Sequence, residues 1–320
     1  MHIAIIDSGY KDYSFEKQLF ESAGFTLDIF PLYKGEKAVK MVFAKEADGI
    51  LVRHTPIDEE FLTHCKKVKA VVRYGVGYDN IDVDACTRLG VNVANVQGYA
   101  NHAVSEHALA LILSCSRGMW NTNQQLIEKF AAPPVKDLFE LHYKTLGIIG
   151  LGRIGSELAK KAAPLFKEVI ASDPYKPDDH FNKHGVRKVI LSELLEISSV
   201  ISLNCNLTNE TRNILDGKAF QNMQERPVIV NTSRGDTIDE KALLKALESE
   251  RIHSAALDVF RNEPTTTAQE KLIQHPRTIC TGHYAWYSES SAIELQKRAA
   301  LNLYHFLTGE EVEDRLNVIA

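Results

Sequence analysis

Cysteine is scarce and scattered, with five in 320 residues (Cys65, Cys86, Cys115, Cys205, Cys280) and no Cys-x-x-Cys pair. The odd count and wide spacing argue against a disulfide framework or a zinc site, and favour a reducing, cytoplasmic setting. Long apolar runs are also missing. The first strand-like stretch reaches only Ile6 before Asp7, with no basic start, so it does not read as a signal peptide. No later run approaches the roughly 20 residues a membrane helix needs. Nor does one sign of charge dominate, since 37 Lys and Arg against 42 Asp and Glu leave −5. Neither nucleic acid nor an anionic membrane finds a basic footprint here. A small anionic substrate therefore needs a local cation.

What remains is globular composition, 44% hydrophobic and 25% charged, in a chain long enough for two domains. Strand-like runs fall at residues 2–6, 49–52, 70–73, 92–94, 145–149, 168–172, 200–203, 228–232 and 254–257. Helical patterns at 14–23, 105–117, 154–165, 240–250 and 288–307 lie among them. This alternation predicts an α/β fold of βαβ units, with mainly parallel sheets covered by helices. The strand series restarts near Thr145. We therefore expect a discontinuous substrate-binding lobe, residues 1–98 with 290–320, around a cofactor lobe, residues 99–289. The paired prolines of AAPPVKD (131–137) predict a loop.

Within the second series, TLGIIGLGRIGSELAKKA places Gly150, Gly152 and Gly155 between a strand and an amphipathic helix. Gly150 permits a tight turn, Gly152 lets the backbone approach a pyrophosphate, and Gly155 packs helix on strand. The backbone of Leu151, Arg153 and Ile154 completes that loop. A second strand ends in Asp173, where an acid about twenty positions on would hold a ribose hydroxyl. A carboxylate there repels a 2′-phosphate, so NAD is expected rather than NADP.

Three downstream segments each put a functional group beyond a buried run: Arg234 in VIVNTSRGDTID, Asp258 and Glu263 in ALDVFRNEP, and His283 in TICTGHYAWYS. Reducing a 2-oxo acid requires a cation for the carboxylate and carbonyl, for which a guanidinium suits. It also requires a proton donor working near neutral pH, the range of an imidazole. A carboxylate bonded to that imidazole would orient it and favour its charged form. Taken singly, each residue has a plainer role, such as a turn cap for Asp258 or surface pairing for Arg234. Their order after the glycine fingerprint carries the reading. The other histidines (2, 64, 102, 107, 142, 180, 184, 253, 275, 305) show no metal-ligand spacing. We read them as surface or core residues, His107 as packing on the Ala-rich 105–117 helix.

VRYGVGYDNIDVDAC, GYANHAVSEHALALIL, GIIGLGRIG, NTSRGDTIDEKAL, ALDVFRNEP and the His283 segment resemble the D-isomer-specific 2-hydroxyacid dehydrogenases across roughly residues 50–310. ICTGHYAWYSESSAIEL further resembles the subgroup containing the C-terminal-binding proteins. The resemblance implies Arg234, Glu263 and His283 as catalytic residues and Asp258 on the nicotinamide side. It implies cofactor contacts from Cys205, Asn206, Leu207, Thr232, Ser233, Arg234, His283 and Val76. It implies that Gly75, Val76 and Gly77 receive the substrate carboxylate through their N–H groups, with Arg53, His54 and Trp286 also on the substrate side. Two flavodoxin- or Rossmann-like lobes, a closing cleft and a homodimer built on the cofactor lobe follow from it as well.

The chain departs from the pattern at Gly282, usually Pro, at Tyr284, usually small, and at His54, often Ser or Thr. These changes reshape the surroundings of the proton donor and make the substrate side more basic. With no extension after Ala320, serine-type feedback is not expected. The competing function is an NAD(H)-responsive binding protein of the C-terminal-binding-protein type. A phosphoglycerate- or glyoxylate-type dehydrogenase of the same family is a third reading. The full catalytic set favours an enzyme. So does the absence of an arm before the first strand.

Overall fold

The computed structural model describes residues 1–31, 35–130, 136–267 and 269–319. Residues 131–135 of the expected proline loop lie outside them. The described residues form two compact units, Met1–Tyr99 with Ser288–Ala320, and Ala100–Tyr287. The helix Asn101–Ser116 opens the second unit and the helix Glu289–Thr308 returns the chain to the first.

Unit one contains strands β1 (His2–Ile5), β2 (Thr26–Ile29), β3 (Gly49–Val52), β4 (Ala70–Arg73) and β5 (Asn92–Ala94) in the order β2-β1-β3-β4-β5, all parallel. This is the flavodoxin-like order, with its winding reversed between β1 and β3. Asp7, just past β1, sits at that point, fully buried. Its carboxylate accepts from the N–H groups of Arg53, His54 and Thr55 at 2.8–2.9 Å, and from the Thr55 hydroxyl at 2.6 Å. It also pairs with the Lys40 ammonium. Burial opposes the charge, but these donors outweigh it and hold the Asp7 carboxyl at about 2.

Unit two contains β6 (Thr145–Ile149), β7 (Glu168–Ser172), β8 (Arg187–Lys188), β9 (Val200–Leu203), β10 (Val228–Asn231), β11 (Ser254–Leu257) and β12 (Thr278–Cys280). The parallel order β12-β11-β10-β9-β6-β7-β8 places the reversal between β6 and β9. Strands β9, β10 and β11 are buried at every position, as a sheet covered on both faces demands. Edge strand β2 alternates exposed and half-buried residues, and β8 has two exposed ones, so neither gives the apolar run sequence reading relies on. Most of the predicted helices begin or end within one turn of the observed ones. The Ala-rich helix starts four residues early, at Asn101, and a further helix, Met119–Lys129, follows it.

Among the described residues no helix is long and apolar enough to cross a membrane.

Candidate active site

The fingerprint loop leaves β6 at the point where the winding reverses. Gly150 takes φ +90°, and a Cβ there would meet the Cys205 backbone at 2.8 Å. At Gly155 it would meet the Gly150 carbonyl oxygen at 2.2 Å. Both glycines are therefore explained inside the chain. Gly152 is not: its φ is ordinary and a Cβ would touch nothing within 4 Å. The space it leaves lies at the N-terminus of the helix Arg153–Ala162, where no side chain caps the first N–H groups. An anionic ligand fits that arrangement.

Around it, β7 delivers Asp173, whose oxygens accept from the Leu151 N–H at 2.9 Å and the Tyr175 N–H at 3.0 Å. β9 delivers Cys205, whose thiol burial pushes up to about 11, so no thiolate stands beside the loop. Asn206 follows, its carbonyl oxygen accepting from Thr211, and then half-buried Leu207. β10 runs on into Thr232. The Thr232 hydroxyl and the Asn204 side-chain oxygen are both buried without a partner among the described residues. Two such orphans at the ends of adjacent strands fit a polar ligand across β6, β9 and β10. Asn204 escaped the sequence reading, because an Asn after a strand carries no local signal.

Arg234 sits three residues beyond the end of β10, on a loop held by Asn231. The Asn231 amide donates to the Arg234 carbonyl at 3.0 Å and its oxygen accepts from the Ser233 N–H and hydroxyl. The Arg234 guanidinium donates to the Ser233 carbonyl at 2.8 Å. Gly235 has a specific reason to be glycine: a Cβ would lie 1.9 Å from the Phe260 carbonyl carbon. Its absence lets the Arg234 loop press against the Phe260–Arg261 backbone, beyond β11.

Glu263 is held there by the Phe260 N–H, which donates to Oε1 at 2.9 Å. Its Oε2 is hydrogen-bonded to His283 Nδ1. Burial alone would raise the Glu263 carboxyl. The His283 bond and charge, the Phe260 N–H and the Arg234 guanidinium together bring it below the usual carboxylate value. Three residues distant in sequence are thus coupled through one carboxylate.

His283 has φ +56°, in the left-handed region. Asp258, 1% exposed, holds this turn: its oxygens accept from Thr281, Tyr284 N–H and Ala285 N–H. Its main-chain carbonyl accepts from the His283 N–H at 2.7 Å. Asp258 caps this turn through these bonds. Trp286 is tied to the same turn, its indole N–H donating to the His283 carbonyl at 3.1 Å. Tyr284 is half exposed and Gly282 has open space around its α-carbon.

The remaining predicted residues belong to unit one. The Arg53 guanidinium lies over the Tyr10 ring, 4.9 Å from its centroid. Arg53 and His54 are placed by Asp7. The Gly75 carbonyl accepts from the Val96 N–H at 3.0 Å, and the Val76 carbonyl from the Asn95 amide at 2.5 Å. Gly77 follows in the same loop beyond β4.

The family model for the NAD binding domain of the D-isomer specific 2-hydroxyacid dehydrogenases matches residues 109–285. The D-3-phosphoglycerate dehydrogenase of Mycobacterium bovis is 36% identical over 278 residues, 85% of this chain and 52% of that protein. The chain thus spans about half the length of the curated relatives it matches. A glyoxylate reductase from Paecilomyes thermophila superposes with a TM-score of 0.89 at 29% identity, covering 98% of each chain. The D-lactate dehydrogenase of Aquifex aeolicus, complexed with NAD and lactic acid, gives a TM-score of 0.86 at 26% identity, covering 97% of this chain and 96% of that one.

Proposed function

The chain belongs to the D-isomer-specific 2-hydroxyacid dehydrogenase family, and on that premise we propose that it is an NAD-dependent oxidoreductase acting on a small 2-oxo or D-2-hydroxy acid. The observation that carries this reading is Glu263, bonded to His283 and within the electrostatic reach of Arg234. When bound, the cofactor supplies or accepts the hydride. In the reducing direction Arg234 holds the substrate carboxylate and polarises the adjacent carbonyl. Glu263 occupies Nδ1 of His283 and so orients Nε2 to give its proton to the carbonyl oxygen. In the oxidising direction His283 takes the proton back.

The cofactor cradle consists of Gly150, Leu151, Gly152, Arg153, Ile154 and Gly155 for the pyrophosphate, with Asp173 for the ribose. Cys205, Asn206, Leu207, Thr232, Ser233 and Asp258 complete it within this unit, and from unit one the family resemblance assigns Val76 to the cofactor. The Asp173 carboxylate, still an acceptor after its two backbone bonds, disfavours a 2′-phosphate. For the substrate, the family resemblance assigns Arg53, His54, Gly75, Val76 and Gly77 in unit one, and Trp286 in unit two. The pinning of Trp286 to the His283 turn supports the likeness to the subgroup containing the C-terminal-binding proteins. The scattered thiols fit a cytoplasmic protein. Apolar side chains on the helix Met119–Lys129, namely Met119, Trp120, Leu126 and Ile127, are at least half exposed and support a homodimer built on this unit.

The deciding experiment is oxidation of NADH, and separately NADPH, against a panel of 2-oxo acids of graded side-chain size. Turnover with NADH ahead of NADPH is expected. Arg234→Ala should lower kcat/KM by two to three orders of magnitude, the range for removing one partner of a desolvated charge pair. A chain that binds NADH and turns over none of the panel would instead be an NAD(H)-responsive binding protein.

A further inference from the structure

The helix Asn101–Ser116 points one imidazole at the His283 turn, and the proposed chemistry makes no use of it. His107 Nε2 lies 3.1 Å from Thr281 Oγ1 and 3.7 Å from Asp258 Oδ1. Its ring stands edge-on to Tyr284, with centroids 5.1 Å apart. Thr281 Oγ1 is 2.5 Å from Asp258 Oδ1. Chemistry sets the direction of this chain. A carboxylate only accepts, so the Thr281 hydroxyl donates to Asp258, and its oxygen is left to accept from the His107 Nε2–H.

The chain ends where the proton donor is placed. Asp258 fixes the main-chain N–H groups of His283, Tyr284 and Ala285 together. A non-glycine residue in the left-handed region is strained and persists only when its surroundings hold it there. Thr281 and His107 are what hold Asp258 from behind. Apolar packing on a helix needs no imidazole at this position, whereas a donor to Thr281 does.

We propose that His107 is a positioning residue for the proton donor, acting through Thr281 and Asp258 to set the geometry of the His283 turn. The inference rests on the acid–base assignment of His283 made above. Burial lowers the His107 pKa, with the Asp258 charge opposing only in part, which favours the neutral ring. The chain then selects the tautomer that carries its proton on Nε2.

Four variants test this: His107→Phe, Thr281→Val, the double variant, and His107→Gln, whose amide can replace the donor. Steady-state reduction is measured with NADH and with 4-deuterated NADH. The His283 Cε1–H resonance is followed by NMR without cofactor. Each of the first two single variants should lose about tenfold in kcat with KM within twofold, and should move the His283 resonance. The double variant should lose no more than either single, since both cut one chain, and His107→Gln should recover most of the loss. A His283 resonance unmoved in folded Thr281→Val would overturn the proposal, as would losses that multiply in the double variant. A wild-type chain that reduces no 2-oxo acid defeats the functional reading instead, and the resonance comparison still decides the positioning.

Discussion

Glu263 links His283 and Arg234, and its ionisation sets a pH window. Its carboxyl lies below the ordinary value in the folded chain. The stabilisation it provides is therefore complete above the usual carboxylate range and is lost as pH falls through the lowered value. Throughout the neutral range it stays anionic and favours the charged imidazole. Glu263→Gln removes that charge and offers Nδ1 a donor where it had an acceptor. Reduction should slow by roughly a hundredfold or more, and the pH profile of kcat should change shape. A pH profile of kcat that keeps its wild-type shape would disprove the pairing. The residue types at 234, 263 and 283 could be read from sequence because this chemistry needs those groups and each follows a buried run. His107 could not, since its partner Thr281 is 174 residues away and a helix histidine gives no local sign of one.

At the scale of elements, the site is a set of loops at strand ends, and its accuracy depends on how closely those loops approach. Gly235 is the clearest case. Its missing Cβ lets the Arg234 loop lie against the Phe260 backbone, and no side chain can yield there because the contact is main chain on main chain. Gly235→Ala must push the two loops apart, which separates Arg234 from Glu263. A displacement near 1 Å costs about a hundredfold in rate, with a stability loss of about 1–3 kcal/mol from overpacking. Wild-type kcat/KM together with an unchanged melting temperature would refute the close-approach argument. The buried strands and the fingerprint were legible because both faces of the sheet demand apolar residues. Strands β2 and β8 were not, because edge positions relax that demand. Short helices such as Glu59–His64 and Val83–Arg88 span too few residues for periodicity, and their Asp58 and Asp82 caps were the available signal.

At the scale of the whole molecule, each unit brings loops together at the point where its own sheet reverses winding. In unit one Asp7 gathers the loop after β3, and in unit two Gly150 lies against Cys205 beyond β9. Such points are where open α/β sheets bind ligands, which is why the strand order predicts the location independently of any motif. One feature of unit two has no such use. On the helix Met119–Lys129, Trp120 and Ile127 are 50% and 67% exposed and lie seven residues apart, so they share a helix face. An apolar stripe of this kind is costly in water and normal at a subunit interface. Pairing through it would be isologous, with the same face contributed by both copies. The expected outcome is a wild-type chain sedimenting at twice its single-chain mass at micromolar concentration. Trp120→Glu with Ile127→Glu should sediment at the single mass, because like charges would face each other across the two-fold axis. Since neither side chain belongs to the proposed cofactor cradle or catalytic set, the variant should still bind NADH. A wild-type chain that is monomeric throughout that range would remove the homodimer and leave the exposed stripe to another partner.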